Sequence, residues 1–466
     1  MHLVDNRQSD PVESVEQLAD YFQRGCKPRS QWRIGTEHEM IGVYARGPDI
    51  GRAPAYAGDR GIAAIFDSFA ARGWKPVSEG DNVIALVCSG AQMTFEPGGQ
   101  LEHALRPLNH ADELTASMAK NVAQVAEPSA RLGLAWLSAG FRPFGRLEDV
   151  PWMPKRRYEI MREYMPTRGA LAHEMMKRTA TVQVNLDFSD TDDAGSQFRC
   201  AMGISSFLTA IYANSPVVDG QLAGYQSYRS RVWLDTDPDR CGLLPFAFED
   251  VDVFRAYTEW ALDVPLFFVH RGDYRRAPGF TFRRFMREGF QGERATMDDW
   301  ALHLSTLFPE TRLKTYMELR GCDTGSFEMI AALGVLASGL LYDEEGRRQA
   351  IALTAGLSFA ERVDLQREVP RGGLSTPVGR TGRTVGDIAR DLLMIAAEGV
   401  ARREPGELRY LDPVRQIVEE KRTQADQLID LWRAKQGDLP ALIRGMAYPG
   451  LNGELAVGAP PALAGC

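Results

Sequence analysis

The amino-acid sequence predicts an α+β fold built around a largely antiparallel sheet. Segments in which apolar and polar residues alternate recur along the N-terminal two thirds of the chain, and two of them are joined by a tight hairpin signal. Helical spacing of apolar residues dominates the C-terminal third. Because no internal repeat and no composition break marks a linker, we predict one domain over residues 1–452 and a flexible tail over residues 453–466.

The first elements follow from caps and periodicity. Asp10 is a plausible N-cap with Pro11 at the first helical position, so a helix is predicted to begin there. The run "IGTEHEMIGV", residues 34–43, predicts the first strand. A loop rich in glycine and proline follows over residues 46–61, and a helix is predicted over residues 62–72.

The middle of the chain carries the clearest strands. "NVIALVC" and "AQMTFE" are predicted as strands joined at Ser89-Gly90, and the helix after them is predicted to break at Pro128. "TATVQVNLDFS" alternates strictly, and "LKTYMELRG" is predicted as a strand that ends at Gly321. Helices are predicted over residues 196–213 and 251–263. Asp412-Pro413 is predicted to cap one long amphipathic helix.

Composition excludes several classes of protein. Apolar content of 44% and charged content of 25% are typical of a globular protein, and a net charge of −8 disfavours a nucleic-acid partner. No window reaches the apolar run of about 18 residues that a membrane span needs, and the N-terminus has no apolar signal segment. A cytoplasmic location is the default prediction. The six cysteines and seven histidines are dispersed, which argues against a disulfide framework and a zinc site.

Two glutamates in the first strand raise a chemical question. Side chains alternate across a strand, so Glu37 and Glu39 point the same way while Thr36, His38 and Met40 point the other way. Unpaired carboxylates at this spacing repel each other, and burying one unpaired is costly. A solvated strand face is one explanation. A bound Mg²⁺ is the other, because this hard cation takes carboxylate oxygens.

Three further strand-like segments offer polar groups on a single face. Glu96 precedes the Pro97-Gly98-Gly99 turn, a turn whose glycines bring the backbone close to a neighbour. The other polar groups are Gln100, Glu102, Gln183, Asn185, Glu318 and Arg320. On one sheet these groups would converge in a concave face, although each segment alone is equally explained by solvent exposure.

Basic residues form a second group of candidate binding residues. They are Lys155, Arg156, Arg157, Arg178, Arg229, Arg231 and Arg240. A charge run such as "KRR" is usually solvated, but the arginine fork also suits carboxylate or phosphate. The sequence contains neither a P-loop nor a GxGxxG motif after a strand, so nucleotide binding would not use those cradles.

Long motifs identify a family. "RIGTEHEMIGV", "EGDNVIAL", "FEPGGQLE", "MPKRRYEIMREYMP", "MMKRTATVQVNLDFSDTDD", "SRVWLDTDPDRCGLLPF" and "LFPETRLKTYMELRG" together strongly resemble glutamate–cysteine ligases of the plant and proteobacterial type. The resemblance runs in order from about residue 14 to about residue 435. It implies the glutamine-synthetase-like carboxylate–amine ligase fold, in which a curved antiparallel sheet lines the active site and helices pack behind it.

The resemblance also implies roles for individual residues. It gives the metal ligands, for two or three Mg²⁺ ions, as Glu37, Glu39, Glu96, Glu102, Gln183 and Glu318. It gives the residues that bind ATP or lie near it as Gln100, Lys155, Arg157, Tyr158 and Asn185. It gives the catalytic arginines as Arg320, which would face phosphate, Arg229, which would clamp glutamate, and Arg178.

The chemistry that the resemblance implies is ligation driven by ATP. The γ-carboxylate of L-glutamate takes the γ-phosphoryl group of ATP, and the amine of L-cysteine then displaces phosphate from γ-glutamyl phosphate. The expected oligomeric state is a monomer or a homodimer. The chain departs from the family around the glutamate turn, where "GGQLEHALRPL" replaces "GGQFELSGAPL". A different acceptor amine therefore stays open, as does a catalytically silent binding protein.

Overall fold

The computed structural model describes residues 10–454. Its centre is a nine-stranded sheet in which every pairing is antiparallel, so the predicted sheet type is confirmed. Residues 455–466, most of the predicted flexible tail, lie outside the described residues.

The strands are, in chain order, β1 (Ile34–Tyr44), β2 (Lys75–Glu79), β3 (Asn82–Cys88), β4 (Ala91–Phe95), β5 (Leu101–Ala104), β6 (Leu134–Leu137), β7 (Thr181–Leu186), β8 (Val217–Val218), β9 (Gln221–Leu222), β10 (Cys241–Gly242), β11 (Phe268–His270), β12 (Tyr274–Arg276), β13 (Phe308–Pro309), β14 (Thr311–Leu313) and β15 (Met317–Asp323). The main sheet has the order β14-β15-β7-β1-β5-β4-β3-β2. Strand β6 pairs with the second half of β1, so β1 is the central strand of the sheet.

The helices are α1 (Val15–Gln23), α2 (Ile62–Ala70), α3 (Ala111–Leu132), α4 (Arg156–Tyr164), α5 (Ala172–Arg178), α6 (Thr191–Ile211), α7 (Tyr228–Trp233), α8 (Val253–Asp263), α9 (Phe282–Glu288), α10 (Met297–Leu304), α11 (Phe327–Ala337), α12 (Glu344–Thr354), α13 (Phe359–Gly372), α14 (Val385–Arg403), α15 (Asp412–Glu420), α16 (Gln424–Lys435) and α17 (Leu439–Met446). Within residues 10–454, none of them combines the length and the apolar character that crossing a membrane requires.

The two faces of β1 divide the sheet into a core side and an open side. His38 and Met40 are buried, and His38 packs edge-to-face against His103 and Phe327 at ring centroid distances of 5.3 and 6.3 Å. Helix α11 packs against β1 and β7, and α6 packs against β15. The predicted alternation is therefore confirmed, because the glutamates of β1 lie on the opposite face from this core.

Some predicted helix boundaries are wrong, and capping explains two of them. Helix α1 begins at Val15 because the Ser14 side chain accepts a hydrogen bond from the Gln17 backbone, while Val12 donates to the Ala295 carbonyl outside any helix. The predicted long C-terminal helix is two helices. Lys421 adopts a φ of 52° at the end of α15, and Thr423 starts α16 with a capping box.

Two predicted breaks do not occur where expected. Helix α3 continues through Pro128 to Leu132, because the buried packing of this turn compensates for the backbone hydrogen bond that proline cannot make. The strand predicted to end at Gly321 continues to Asp323 after a register shift between Leu319 and Cys322.

One of the described cysteines is disulfide-bonded. Cys26, Cys200, Cys241 and Cys322 are free. Cys88 is disulfide-bonded, and one disulfide is not the framework that the sequence argues against.

His303 gives the fold a specific sensitivity to acid. This side chain on α10 is 2% exposed, lies 2.8 Å from the Ala261 carbonyl through its Nε2, and stacks on Phe282. Burial lowers the pKa of His303 to about 3. The unfolded chain takes up a proton below about pH 6.5 and the folded chain does not, so stability is complete above that pH and is lost as the pH falls below it.

We expect His303→Gln to remove this acid sensitivity, because glutamine keeps a donor for Ala261 but does not titrate in this range. Between pH 7.5 and pH 5, the wild-type protein should lose on the order of 2 kcal/mol more unfolding free energy than the variant. Denaturant unfolding at the two pH values measures the difference. Equal losses in both proteins would show that His303 does not stay neutral in the folded state.

Candidate active site

The open face of the sheet carries rows of directly opposed polar residues. In an antiparallel pair, opposite residues project from the same face. The rows are Thr94–Glu102–Glu39, Glu37–Gln183 and Asn185–Glu318–Arg312. The four strand segments selected from the sequence therefore do meet on one surface.

A cavity of about 360 Å³ lies over this surface. The predicted site residues that line it are Glu37, Glu39, Glu96, Gln100, Glu102, Lys155, Arg157, Tyr158, Gln183, Arg229 and Arg320. The predicted residues Asn185, Glu318 and Arg178 do not line it.

The Pro97-Gly98-Gly99 turn fixes the direction of Glu96. A Cβ on Gly98 would lie 2.0 Å from the Lys177 carbonyl oxygen, and Gly99 has a φ of 81°, so both positions require glycine. Gln100 holds the turn, since its Oε1 accepts from the Gly98 backbone at 3.0 Å and its Nε2 donates to the Thr179 carbonyl at 2.8 Å. Gln100 therefore positions the glutamates on either side of it.

Two carboxyl groups of the cavity, those of Glu39 and Glu102, have raised pKa values. Burial, together with the negative charges of Glu96 and Glu37, raises the pKa of Glu102 to about 8. Burial, together with the charges of Glu96 and Glu102, raises the pKa of Glu39 well above its ordinary value. A carboxylate that a basic residue neutralises behaves in the opposite way. Both groups therefore lack the cation that would make their charged forms stable.

The carboxylates of Glu37, Glu39, Glu96 and Glu102 form no ion pair with any residue in the described part of the chain. Like charges repel by about 4 kcal/mol at 4 Å with an effective dielectric of 20. Among residues 10–454, no three histidine, cysteine, aspartate or glutamate side chains are already gathered closely enough to hold an ion. A set of four carboxylates that offers only oxygen donors suits Mg²⁺.

The amide side chains are partly engaged already. The Asn185 amide donates to Glu37 at 2.8 Å, and its Oδ1 is buried without a partner among the described residues. Gln183 Oε1 accepts from Arg320 Nη1 at 2.6 Å, so this oxygen would have to leave the arginine in order to bind a metal. Asn185 therefore orients Glu37, and Gln183 orients Arg320.

Glu318 differs from the other four glutamates. Arg312 makes a forked contact to both carboxylate oxygens at 2.7 Å, Lys314 lies 3.4 Å away, and Arg320 also pairs with it. Burial alone would raise the pKa of Glu318, but these three positive charges lower it below its ordinary range. A metal ion would have to compete with these basic groups for the Glu318 carboxylate.

Hydrogen bonds connect Lys155 through Tyr158 to Glu96 at the glutamate turn. The Lys155 ammonium donates to the hydroxyls of Thr94 and, at 3.2 Å, Tyr158. The Tyr158 hydroxyl lies 3.3 Å from Glu96. Burial lowers the pKa of Lys155 and raises that of Tyr158. Arg157 makes no ion pair with a described residue, and its Nε is buried without a partner, so its charge is available to a ligand.

Arg229 supports the bend of β15. Its guanidinium donates to the carbonyls of Arg320 at 2.9 Å and Gly321 at 3.3 Å, and it lies 3.8 Å from Asp323. These bonds satisfy backbone groups that the register shift of β15 leaves unpaired. The same side chain lines the cavity, so it links the strand bend to any ligand there.

Arg178, which the resemblance implies is catalytic, lies outside the cavity in the structure. The side chain is 1% exposed, and its guanidinium pairs with Glu174 at 3.1 Å and with Asp219 at 2.6 Å. It also lies over the Phe141 ring at 4.6 Å. Arg178 thus holds the end of α5 to a neighbouring loop. Its positive charge is neutralised by Glu174 and Asp219 outside the cavity.

Sequence reasoning missed Arg312, Lys314 and Tyr316, which also line the cavity. A signal was available, because Arg312 and Lys314 alternate with Leu313 just before "YMELRG". A hairpin at this position pairs Arg312 with Glu318, as the structure shows. The sequence pattern instead predicts a single strand over "LKTYMELRG", residues 313–321.

The residues that depart from the family pattern do not reach the cavity. Leu101, His103 and Leu105 are buried in the core, Arg106 is exposed, and Ala104 does not contribute to the cavity wall. Ala104 lies opposite Glu37 and projects from the same face of the sheet without lining the cavity, whereas the other four replacements are in the core or exposed.

Comparison with known proteins shows which family the chain resembles. Residues 33–445 match the model of glutamate-cysteine ligase family 2. The chain is 41% identical over 427 residues to the chloroplastic glutamate–cysteine ligase of Brassica juncea, covering 91% of this chain and 82% of that protein. It is 41% identical over 428 residues to the chloroplastic glutamate–cysteine ligase A of Oryza sativa subsp. japonica, covering 90% of this chain and 85% of that protein.

The fold matches a solved ligase structure. The glutamate–cysteine ligase of Francisella tularensis in complex with AMP superposes with a TM-score of 0.57 at 11% identity, covering 92% of this chain and 90% of that one. This likeness confirms the predicted ligase fold.

The predicted cytoplasmic location is wrong. The plant relatives are named as chloroplastic enzymes, and those names contradict the default prediction. The prediction was based only on the lack of an apolar segment, a feature that cannot distinguish one aqueous compartment from another.

Proposed function

The chain belongs to glutamate-cysteine ligase family 2, and we propose that it joins the γ-carboxylate of L-glutamate to the amine of L-cysteine with ATP as the phosphoryl donor. The observation that carries this proposal is the set of four carboxylates, without an ion pair to any described residue, that lines one cavity together with Arg320. A nucleoside triphosphate and a carboxylate substrate both bring negative charge to a cavity that is already lined by carboxylates. Divalent cations are needed to neutralise this charge.

Glu37, Glu39, Glu96 and Glu102 are the residues that would hold Mg²⁺, with Glu318 and the amide oxygens of Gln183 and Asn185 as further donors. When bound, the metal would neutralise the phosphate oxygens and lower the barrier to phosphoryl transfer. Two or three ions match the number of carboxylates. Lys314 and Tyr316 at the end of β14 lie where the rest of the nucleotide can be accommodated.

The chain's own residues position the substrates and stabilise charge. The Arg320 guanidinium, oriented by Gln183, stabilises the negative charge that develops on the transferring phosphoryl group. Arg157 supplies the charge for the α-carboxylate of glutamate, because it makes no ion pair with a described residue. Activation as an acyl phosphate makes the carbonyl carbon of the γ-carboxyl group electrophilic, and the amine then displaces phosphate. No side-chain nucleophile is required.

Cysteine is favoured as the acceptor over another amine. None of the replacements at the glutamate turn, Leu101, His103, Ala104, Leu105 and Arg106, lines the cavity. The test is ADP release with glutamate and a panel of amines that includes cysteine. Turnover should require glutamate and be highest with cysteine. Background turnover with cysteine and activity with another amine would overturn this assignment.

Arg157→Gln is expected to raise KM for glutamate by about 10²-fold with a much smaller change in kcat, because the lost contact is made in the ground state as well. The conservative Arg157→Lys variant should recover part of the affinity. Steady-state kinetics with glutamate varied at saturating ATP and cysteine measures both constants. An unchanged KM would remove Arg157 from the substrate site.

The proposal includes one catalytic domain over residues 1–452 that acts as a monomer or a homodimer. A silent binding protein is disfavoured because the relatives are named as ligases and the cavity keeps its carboxylates and Arg320. Sedimentation analysis of the purified chain tests the oligomeric state.

A further inference from the structure

Arg142 is a buried cation that the proposed reaction does not use. The residue is 0% exposed and lies in the loop between β6 and α4, outside the lining of the catalytic cavity. It makes no ion pair with a described residue, and the charge that acts on it is the positive charge of Arg178. Burial lowers the pKa of Arg142 to about 9, so the guanidinium still carries its charge at neutral pH. Burying an unpaired charge is costly, so the fold depends on the hydrogen bonds that compensate for this cost.

The Arg142 guanidinium connects two segments that carry carboxylates of the catalytic cavity. Its Nη1 donates to the Gly42 carbonyl at 2.9 Å, and its Nη2 donates to the Gly98 carbonyl at 3.4 Å. Gly42 follows Glu39 in β1, and Gly98 belongs to the turn that fixes the direction of Glu96. One planar and rigid group therefore joins the strand of Glu39 to the turn of Glu96.

The Arg142 backbone is itself held by a short antiparallel ladder. The Arg142 N–H donates to the Arg178 carbonyl at 2.7 Å, and the Ala180 N–H donates to the Gly140 carbonyl at 2.8 Å. These bonds fix the point from which the Arg142 side chain starts. The guanidinium therefore cannot follow a movement of β1 without losing the turn, or follow the turn without losing β1.

The second segment of this ladder also contacts the site directly. The Thr181 N–H, at the start of β7, donates to Glu39 Oε2 at 3.0 Å. The Thr179 carbonyl accepts from Gln100 Nε2 at 2.8 Å, and Gln100 in turn holds the Gly98 backbone. The Glu39 carboxylate and the turn of Glu96 are thus attached to one frame, and Arg142 spans it.

We propose that Arg142 is a positioning residue for the divalent cation, which sets the separation of the Glu39 and Glu96 carboxylates and thereby the affinity of the site for the ion. Mg²⁺ requires near-ideal octahedral geometry, so the oxygens offered to it must be held at fixed separations. Arg142 contacts neither carboxylate and acts only through the two backbone segments. The inference rests on the metal ligands proposed above and concerns metal affinity, not the identity of the substrates.

Titration of the nucleotide-free protein with Mn²⁺ tests this role without any turnover. Mn²⁺ takes the same oxygen ligands as Mg²⁺, and the EPR signal of the free ion disappears on binding. Arg142→Met keeps the apolar stem but loses both hydrogen bonds, so it should bind Mn²⁺ at least about tenfold more weakly than the wild type. Arg142→Lys keeps a donor that can reach one carbonyl at a time, so its affinity should lie between the two.

Arg362→Met is the matched control. Arg362 on α13 is also buried without an ion pair to a described residue, and it donates to the Thr354 carbonyl away from the catalytic cavity. We expect both methionine variants to change the melting temperature, but only Arg142→Met to lose Mn²⁺ affinity. Wild-type affinity in Arg142→Met, or an equal loss in Arg362→Met, would overturn the proposal. If Arg142→Met does not fold, Arg142→Lys decides, and wild-type affinity in that variant overturns it.

Kinetics separates this role from a contribution to the chemical step. In Arg142→Lys, the Mg²⁺ concentration that gives half-maximal activity should rise at least about threefold, while kcat at saturating Mg²⁺ stays within about twofold of the wild type. A loss of kcat with an unchanged Mg²⁺ requirement would contradict the proposal. If the wild-type chain binds Mn²⁺ but shows no ligase activity, the proposed function fails, and the Mn²⁺ titration still decides the role of Arg142.

Discussion

Replacing Arg320 by methionine is expected to lower kcat about 10³-fold while the protein stays folded. The guanidinium lines the catalytic cavity and is held by Gln183 and Glu318, so its charge is preorganised for the transferring phosphoryl group. Arg320→Lys keeps a charge but not the fork, so it should recover about tenfold. Steady-state ADP release at saturating substrates measures the loss, and the melting temperature confirms folding.

Arg178→Lys is the matched comparison for this prediction. Both arginines look catalytic from the sequence, but Arg178 is enclosed by Glu174 and Asp219 outside the cavity. We expect a lower melting temperature and a kcat within about twofold of the wild type. A kcat loss in Arg178→Lys as large as that in Arg320→Met, or a normal kcat in Arg320→Met, would contradict the site described above.

The double variant Glu39→Gln/Glu102→Gln is expected to be inactive and more stable than the wild type. Glutamine removes two buried carboxyl groups whose ionisation the fold opposes, so the metal-free protein should gain on the order of 3 kcal/mol of unfolding free energy at pH 8. Loss of the carboxylates also removes oxygens for Mg²⁺, so ligase activity should fall by more than about 10³-fold.

The pH dependence of this gain has a defined sign. The unfolded chain releases the Glu102 proton near pH 4.5, whereas the folded chain keeps it up to about pH 8. The stability of the metal-free wild type therefore falls as the pH rises between these values, and that of the variant does not. Denaturant unfolding in a chelator at pH 5 and pH 8 measures both proteins, with the exposed Glu419→Gln as control. A variant no more stable than the wild type at pH 8 would show that these carboxylates are already neutralised.

The sheet and most of its site were predictable because strand alternation is a local property. Glu37 and Glu39 are separated by His38, so the two carboxylates must share a face, and the same logic placed Gln183 and Asn185. The Ser89-Gly90 turn was recognisable because both residues take a positive φ, 48° and 84°, which is typical of a two-residue hairpin.

Contacts between residues distant in sequence were not predictable. Arg178 resembles an active-site arginine, and no local pattern shows that Asp219 is its partner. The ion pair of Glu318 with Arg312 is local, but it depends on a hairpin that the predicted single strand does not contain. Helix α3 passes through Pro128 because tertiary packing overrides the local cost of proline.

The central claim is that this cavity activates the γ-carboxylate of glutamate by phosphorylation. The most direct test uses glutamate with ¹⁸O in the γ-carboxylate, together with ATP, Mg²⁺ and cysteine, followed by mass analysis of the phosphate released. If the carboxylate oxygen attacks the phosphoryl group and leaves with it, each phosphate should carry one ¹⁸O atom derived from glutamate. Phosphate formed during turnover without ¹⁸O would contradict the account, because no bond between the glutamate oxygen and phosphorus would then have formed.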